Sequence, residues 1–438
     1  MKQSILSKDG VSYVVPFILI TSCFALWGFA NDITNPMVKA FSKIFRMSAT
    51  DGALVQVAFY GGYFAMAFPA AMFIRRYSYK AGVLVGLGLY ALGAFMFYPA
   101  KMTGEYYPFL IAYFILTCGL SFLETSSNPY ILSMGTEETA TRRLNLAQSF
   151  NPMGSLLGMY VAMNFIQAKL NPLDTASRAD LTPAEFEAVK EYDLSVLIGP
   201  YLAIGLVILA MFVLILFWRM PKNGDKNHNI DFVPTLRRIF AMPHYREGVI
   251  AQFFYVGVQI MCWTFIIQYG TRVLMADGMA EQAAEVTSQQ YNILAMIIFC
   301  CSRFICTFLL RYVNTGRLLT VLAIVGGLLV VGVIGLQNIY GLYCLVGVSA
   351  CMSLMFPTIY GIALTGLGDD AKFGAAGLIM AILGGSVLPP FQAAIIDQGE
   401  LLGMPAVNVS FILPFVCFVV IATYGHRTFL RSKGQLGG

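Results

Sequence analysis

The chain has 438 residues, of which 58% are hydrophobic and 12% are charged, and its mean hydropathy is +0.71. Soluble domains carry about 25% charged residues, so the composition excludes an ordinary soluble protein and predicts an all-α membrane protein. An outer-membrane barrel is excluded as well, because we find no series of ~10-residue segments with alternating hydrophobicity. The net charge of +5 gives no reason to expect a nucleic-acid partner.

Long apolar segments predict twelve transmembrane helices. They are expected near residues 13–36, 52–74, 81–100, 107–133, 144–167, 192–218, 247–275, 286–312, 317–336, 338–366, 373–398 and 405–430. A polar stretch between the sixth and seventh segments divides the chain into two halves. The predicted organisation is an N-terminal six-helix bundle (1–218), a cytoplasmic linker loop (219–246) and a C-terminal six-helix bundle (247–438).

The distribution of Lys and Arg predicts the orientation. With the N-terminus inside, 19 of the 28 basic residues fall on the cytoplasmic side and eight on the other. The positive-inside rule then predicts that both termini are cytoplasmic, in a bacterial inner membrane. We expect no cleavable signal peptide, because the first apolar segment is too long and carries Asp32 near its end.

The two halves have similar sequences directly after their second helices. FIRRYSYKAGVL contains Arg76 and Tyr77, and FLLRYVNTGRLL contains Arg311 and Tyr312. A parallel repeat of six helices is typical of many secondary transporters. We predict a structural or gating role for Arg76 and Arg311, as for Arg303 below. The alternative is that any cytoplasmic loop collects Arg after an apolar segment.

The first predicted helix carries a polar cluster. Asp32 and Asn35 are three residues apart and would share one helix face, with Asn31 beside them. Pro36 cannot donate to the carbonyl of Asp32, and a polar cluster beside a helix break favours a cavity over lipid. The alternative is that the helix ends by residue 31 and Asp32 is an interfacial capping residue.

The fourth predicted helix carries Glu124 far from either end, and a carboxylate at that depth indicates function by default. Burial disfavours the charged form, which suits a proton carrier. The small polar residues that follow, and a break at Asn128–Pro129, would provide polar surroundings. The alternative is a structural carboxylate neutralised by an internal partner such as Arg303.

The fifth predicted helix carries Gln148 and Asn151 on one face, with Gly154 and Gly158 permitting close helix approach. Amides both donate and accept, so they suit sugar hydroxyls, although they could equally form only interhelical bonds. On the seventh helix, spacings of seven and four place Gln252, Gln259 and Trp263 on one stripe.

An aromatic ring beside amides is typical of sugar binding, although such a stripe is often plain packing. Tyr255 and Gln268 of the same helix are peripheral candidates. Arg303 lies in the middle of a helix and needs a carboxylate or carbonyl partner. It could contact substrate or lock one conformational state.

All nine cysteines lie within apolar segments and read as packing residues, without the spacing of a disulfide framework or a metal site. We expect no cofactor and no metal. The sequence contains no nucleophile–base pair and no phosphate-binding loop, which argues against an enzyme. No sizeable soluble domain is appended, which argues against a sensor.

With these residues in view, the sequence resembles the fucose permease branch of the major facilitator superfamily. The resemblance runs along nearly the whole chain, and its most specific segments are LETSSNP, RLNLAQSFN, AQFFYVGVQ followed by CW, and FPTIY. It implies twelve helices in two pseudo-symmetric bundles and proton-coupled uptake of L-fucose or related hexoses.

The resemblance also assigns residues. The family's fourth-helix glutamate falls on Glu124, its fifth-helix amides on Gln148 and Asn151, and its seventh-helix block on Gln252, Gln259 and Trp263. The first helix departs from the pattern: fucose permease has asparagine where this chain has Asp32, and aspartate where it has Asn35. The exchange puts coupling geometry and sugar identity in question, as does Gln268, where fucose permease has a basic residue.

We therefore predict an alternating-access symporter for a proton and L-fucose or a related monosaccharide. Asp32 and Glu124 would couple the proton, while Asn31, Asn35 and the amides and Trp263 named above would bind the sugar. The partners expected are the sugar, the proton and the lipid bilayer, and the chain is expected to be a monomer. The alternative is a sodium-coupled transporter of glucose, galactose or mannose with the same fold, because some relatives in the wider family use sodium.

Overall fold

The computed structural model describes residues 6–8, 11–34, 37–47, 54–173, 177–178, 180–222 and 232–434. Within these residues the α-helices are α1 (Val14–Thr34), α2 (Met37–Phe45), α3 (Leu54–Arg76), α4 (Tyr79–Thr103), α5 (Tyr107–Ser133), α6 (Ala140–Gln148), α7 (Asn151–Val161), α8 (Pro183–Phe217), α9 (Phe232–Ala241), α10 (Pro243–Ala276), α11 (Glu281–Leu309), α12 (Thr315–Gly335), α13 (Ile339–Met352), α14 (Met355–Leu364), α15 (Ala371–Met380), α16 (Gly384–Ile396), α17 (Ala406–Ser410) and α18 (Ile412–Ser432). Short strands occur as β1 (Ser7–Lys8), β2 (Val11–Ser12), β3 (Glu400–Leu401) and β4 (Met404–Pro405). β3 and β4 pair antiparallel.

In the described part of the chain, eleven helical segments are long and apolar enough to cross a membrane. The predicted fifth helix is the exception, because the structure divides it. α6 ends at Gln148, α7 begins at Asn151, and a π-helical turn at Ala162–Ile166 follows. The division at the start of α7 has a local cause: Pro152 has no N–H to donate to the carbonyl of Gln148.

Several helix ends follow from local sequence. Ser78 caps α4, where its hydroxyl accepts from the backbone N–H of Ala81 at 3.0 Å, and Gly104 closes the helix with φ +65°. Such a positive φ favours glycine, which carries no Cβ. α8 starts with a capping box between Thr182 and Glu185. These signals place helix ends at the turns between apolar segments.

The chain divides into two compact units. Unit A comprises Gly10–Met134 and Phe150–Ile230, and unit B comprises Met1–Asp9, Gly135–Ser149 and Asp231–Gly438. The predicted bundle bounds at residues 218 and 247 stay a prediction.

In unit A, α4 packs tightly on α5, where a Cβ on Gly93 would overlap the backbone of Leu116. α1 packs against α7 in the same unit. In unit B, α10 is the central helix and packs against α11, α13, α14, α16 and α18. Its buried face supplies much of the apolar core, including Tyr255, Met261 and Phe265. The helices of each unit hold the polar side chains described next.

Candidate functional site

Glu124 lies on α5 in unit A with only 5% of its surface exposed. The hydroxyl of Tyr63, on α3, donates to its Oε1 at 2.8 Å. The backbone carbonyl of Tyr63 accepts in turn from the hydroxyl of Ser121 at 3.1 Å, which fixes α3 beside α5. A buried carboxylate therefore has a neutral, well-positioned donor.

Further polar residues of α5 follow Glu124 in the chain and are buried with it. Asn128 donates its side-chain amide to the backbone carbonyl of Glu124 at 3.0 Å. The hydroxyls of Thr125 and Ser127 are buried without a hydrogen-bond partner among the described residues. The predicted break at Asn128–Pro129 is wrong, since α5 continues through Pro129 to Ser133. Its polar surroundings arise from side chains rather than from an interrupted backbone.

Asp32 lies in the last turn of α1, which extends to Thr34, so the alternative in which the helix ends by residue 31 is wrong. Asp32 and Asn31 are both partly buried. The Asp32 carboxylate lies near the phenol of Tyr60 on α3. Asn35 and Pro36 lie outside the described residues, so the predicted pairing of Asn35 with Asp32 stays a prediction.

Asn151 is held against α1 by a close helix crossing. Its side-chain amide donates to the backbone carbonyl of Phe24 at 3.1 Å. A Cβ on Gly154 would overlap the carbonyl of Ala25, and a Cβ on Gly158 would overlap that of Phe29. The close approach predicted from these two glycines is confirmed. Gln148 is nearly buried at the end of α6, so the spacing between the two amides runs across a helix interruption.

The predicted stripe of unit B lies on α10. Gln252 is fully buried, and neither its amide nitrogen nor its oxygen has a partner among the described residues. Gln259 and Trp263 are partly buried. The indole N–H of Trp263 donates to the hydroxyl of Ser349 at 3.1 Å, and its ring meets Phe299 edge-on with centroids 4.9 Å apart.

Arg303 of α11 is almost fully buried and binds backbone carbonyls. Its Nε donates to the carbonyl of Ser353 at 2.6 Å, and one terminal nitrogen donates to that of Gln148 at 2.9 Å. Its guanidinium also lies 4.5 Å from the ring centroid of Phe299. The sequence predicted a carboxylate or a carbonyl as the partner of Arg303, and in both of these bonds the partner is a carbonyl. Arg76 and Arg311 are exposed where α3 and α11 end.

Among the described residues, no three His, Cys, Asp or Glu side chains gather in a way that could hold a metal ion. All nine cysteines are free thiols. The carboxylates described above can exchange protons, and the amides can form hydrogen bonds. Amide donors and acceptors with an indole ring match a ligand that has hydroxyls and one apolar face.

Sequence reasoning missed several residues that the structure places in these clusters. Tyr63 and Tyr60 stand in an aromatic-rich apolar segment, FYGGYF, where a hydroxyl cannot be told from packing. Phe299 and Ser349 lie far from Trp263 along the chain, so only the fold joins them. The only signal in the sequence was the presence of two tyrosines in this apolar segment, and that signal is weak.

Comparison with known proteins gives consistent matches. A family model described as the Major Facilitator Superfamily matches residues 20–390. The L-fucose-proton symporter of Haemophilus influenzae is 52% identical, over 99% of this chain and 100% of its own length. The glucose/galactose transporter of Brucella abortus is 30% identical, over 93% of this chain and 92% of its own.

A solved structure of a major facilitator transporter, FucP, in the outward conformation superposes with a TM-score of 0.85. The two chains are 31% identical, and the match covers 95% of this chain and 99% of that one.

Proposed function

Because the chain belongs to the major facilitator superfamily, we propose that it is an alternating-access symporter that imports L-fucose or a related monosaccharide with a proton. The observation that carries the proposal is Glu124. It is a buried carboxylate inside a membrane helix, and its hydrogen-bond donor is the neutral hydroxyl of Tyr63. A carboxylate in that setting can bind and release a proton without losing a cationic partner.

Membership of this family confirms three predictions. The resemblance to the fucose permease branch is confirmed, as is the fold of twelve transmembrane helices in two pseudo-symmetric bundles. The prediction that the protein is a transporter and not an enzyme is confirmed by the same matches. The predicted site residues stay proposals, and their roles follow.

Proton coupling is assigned to Glu124 and Asp32. Protonation of at least one of them favours sugar binding, and deprotonation after the site changes sides favours sugar release. A ligand drives such a cycle only if it favours the states in which it is bound. The partly buried position of Asp32 in the last turn of α1, near Tyr60, supports a role for the second carboxylate.

Sugar recognition is assigned to the amides and the indole. Gln148, Gln252 and Gln259 with Asn31, Asn35 and Asn151 would bond sugar hydroxyls, and Trp263 would stack on the apolar face of the ring. The unpartnered, buried amide of Gln252 is the main support, because such a group is costly unless a ligand satisfies it.

Arg303 is assigned to stabilising one conformational state. It holds the end of α6 to α11 and α13 through two carbonyls, so its bonds would have to break if α6 moves. Arg76 and Arg311, at matching positions of the two halves, are assigned the same class of role. We further propose a monomer in a bacterial inner membrane, with both termini in the cytoplasm.

A sodium-coupled glucose or galactose transporter is the second candidate. The similarity to the Brucella abortus relative, a glucose/galactose transporter, favours glucose or galactose as the sugar. The 52% identity to an L-fucose-proton symporter, against 30% to that relative, favours fucose and the proton.

The test uses de-energised, lightly buffered cells that express the protein. L-fucose is added first, followed in separate samples by galactose, glucose and mannose, while external pH is recorded. Alkalinisation on adding L-fucose is the expected result, because inward sugar movement draws protons from the medium. No pH change with any sugar, together with sodium-dependent uptake of a labelled sugar, would contradict proton coupling.

A further inference from the structure

Unit A carries an apolar crevice that is lined by none of the residues assigned to the sugar or the proton. It encloses about 640 Å³ between α7 with the following π-helical turn on one side and α8 on the other. Phe29 of α1 forms its floor, Val161 and Phe165 line one wall, and Ile204 and Val207 line the other. The lining is predominantly apolar, so an aqueous sugar is not its natural occupant.

Local backbone features open the crevice. The Ala162–Ile166 segment is a π-helical turn, a rare element that occurs mainly at functional sites. Across from it, Gly199 faces open space: a Cβ there would meet no atom within 4 Å. Pro200 follows within α8 and cannot donate to the carbonyl of Val196, which also lines the crevice.

One end of the crevice is positively charged. Lys169 and Ser195 line it, and the ammonium of Lys101 donates to the hydroxyl of Ser195 at 2.6 Å. Lys169 also lies over the ring of Phe165, 5.2 Å from its centroid. In the described part of the chain, neither lysine forms a salt bridge. Lys169 and Lys101 therefore place two positive charges at the same end of the apolar crevice.

The length of the crevice matches one lipid leaflet. Ser195 and Val207 are twelve residues apart on α8, which corresponds to ~18 Å along the helix axis. The hydrocarbon of one leaflet is ~15 Å thick, half of a ~30 Å bilayer core. The charged end therefore lies at headgroup level when the apolar end lies near the midplane.

We propose that this crevice binds one anionic diacyl phospholipid, with an acyl chain along α8 and the phosphate beside Lys169 and Lys101. The charge at the open end selects an anionic headgroup over a zwitterionic one. The site is separate from the residues assigned to sugar and proton, so it does not depend on the proposed substrate.

The test reconstitutes the full-length protein into nanodiscs of equal parts phosphatidylglycerol and phosphatidylcholine. Native mass spectrometry after release then measures which lipid stays bound. The wild type is expected to retain phosphatidylglycerol in preference, and Lys169→Gln is expected to lower that preference about fivefold. Lys190→Gln is the matched control, because Lys190 lies on α8, the helix that forms one wall of the crevice, but its ammonium pairs with Glu187.

A second pair of variants tests the channel itself. Gly199→Trp fills the crevice and is expected to abolish lipid retention, with folding checked by thermal melting. Gly335→Trp is the control, because its Cβ would also face open space, but on α12. Retention of phosphatidylglycerol by Gly199→Trp at the level of Gly335→Trp would overturn the proposal. Retention of both lipids in their membrane proportion by the wild type would overturn it as well.

Discussion

Glu124 accepts one hydrogen bond through its side chain and another through its backbone. Tyr63 donates to the carboxylate, while Asn128 bonds to its backbone carbonyl. The bond from Tyr63 is stronger when the carboxyl is charged, whereas the bond from Asn128 is the same in both protonation states. This arrangement suits a proton carrier, because the backbone of Glu124 stays fixed when the carboxyl changes its charge.

Tyr63→Phe is predicted to impair coupling while sugar exchange is retained. A hydrogen bond to a charged acceptor contributes about 1.5–3 kcal/mol, so the pH at which uptake is half-maximal should move by ~1 unit or more. Labelled sugar uptake across a pH series measures the effect. Tyr113→Phe is the control, since Tyr113 is equally buried but bonds Tyr201. An unchanged pH profile in Tyr63→Phe would exclude this role.

Gln252→Leu is predicted to leave the fold intact and to abolish sugar binding. The buried amide has no partner among the described residues, and removing such a group is nearly neutral or stabilising by up to ~1–3 kcal/mol. Thermal melting in detergent and sugar-dependent tryptophan fluorescence measure the two effects. Asn408→Leu, which loses a bond to the carbonyl of Val333, should melt at a lower temperature. Wild-type sugar binding by Gln252→Leu would contradict the assignment.

The exchanged pair of the first helix gives a third prediction. If Asp32 carries coupling, Asp32→Asn combined with Asn35→Asp should recover more transport than Asp32→Asn alone. Asp32→Asn combined with Asn31→Asp is the control, because it turns the carboxylate about 100° around the helix. Uptake driven by an imposed proton gradient is the measurement. Equal activity in both double variants would argue against a positional role for the carboxylate.

Charge and depth were enough to single out Glu124 and Arg303 from the sequence, and the spacing with Trp263 singled out Gln252. The partners of Glu124 and Trp263 were not predictable, because Tyr63 and Ser349 come from other helices and their hydroxyls occur in ordinary apolar segments. The carbonyls that bind Arg303 carry no sequence signal at all, since every residue has one.

A buried ion pair organises the loop between α7 and α8. Arg178 and Asp193 lie 2.6 Å apart, and both side chains are fully buried. Asp193 also accepts from the backbone N–H of Asn171 at 2.7 Å. Lys43 of α2 donates to the backbone carbonyl of Asn171 at 2.6 Å, so the loop is attached to the segment that follows α1. The two elements should therefore move together.

Asp193→Asn is predicted to destabilise unit A strongly. Removing one partner of a buried ion pair leaves an uncompensated charge and costs about 3–5 kcal/mol. Glu187→Gln breaks the exposed pair with Lys190 and should cost at most about 1 kcal/mol. Thermal unfolding of the purified variants compares them. Similar melting temperatures for both variants would show that the buried pair contributes no more to stability than the exposed one.

Helix number was predictable from apolar length, but continuity was not. The fifth segment contains Asn151–Pro152, the same Asn–Pro signal that indicated a break after the first helix, yet its apolar length favoured one helix. The fourth segment contains Asn128–Pro129 and stays continuous in α5. An Asn–Pro pair therefore does not decide by itself, because neighbouring helices determine whether the backbone can continue.

At the scale of the whole molecule, neither compact unit is continuous in sequence. Residues 135–149, for example, precede the central loop but belong to unit B. Asn145 donates to the hydroxyl of Thr358 at 3.2 Å, and Gly361 lies so close to Thr141 that a Cβ would crowd its hydroxyl. With the bond from Arg303 to Gln148, these contacts fix α6 to α11 and α14. Contacts between residues so distant in sequence cannot be read from hydropathy.

These contacts indicate which bonds the proposed transport cycle would have to exchange. Alternating access requires two states of similar free energy, each favoured by different contacts. Among these bonds, the one from the buried Arg303 to the carbonyl of Gln148 is charge-assisted, so losing it is costly unless another contact replaces it. Sugar and proton binding would have to favour the state in which such a replacement forms.

The most direct test compares Glu124→Gln with the wild type in proteoliposomes. Accumulation of labelled L-fucose is driven by an imposed proton gradient, and exchange is measured separately without a gradient. We expect Glu124→Gln to lose accumulation and to retain exchange, because a neutral amide cannot carry the proton but preserves the shape of the site. Accumulation by Glu124→Gln at the wild-type level would show that this carboxyl does not couple the sugar to the proton.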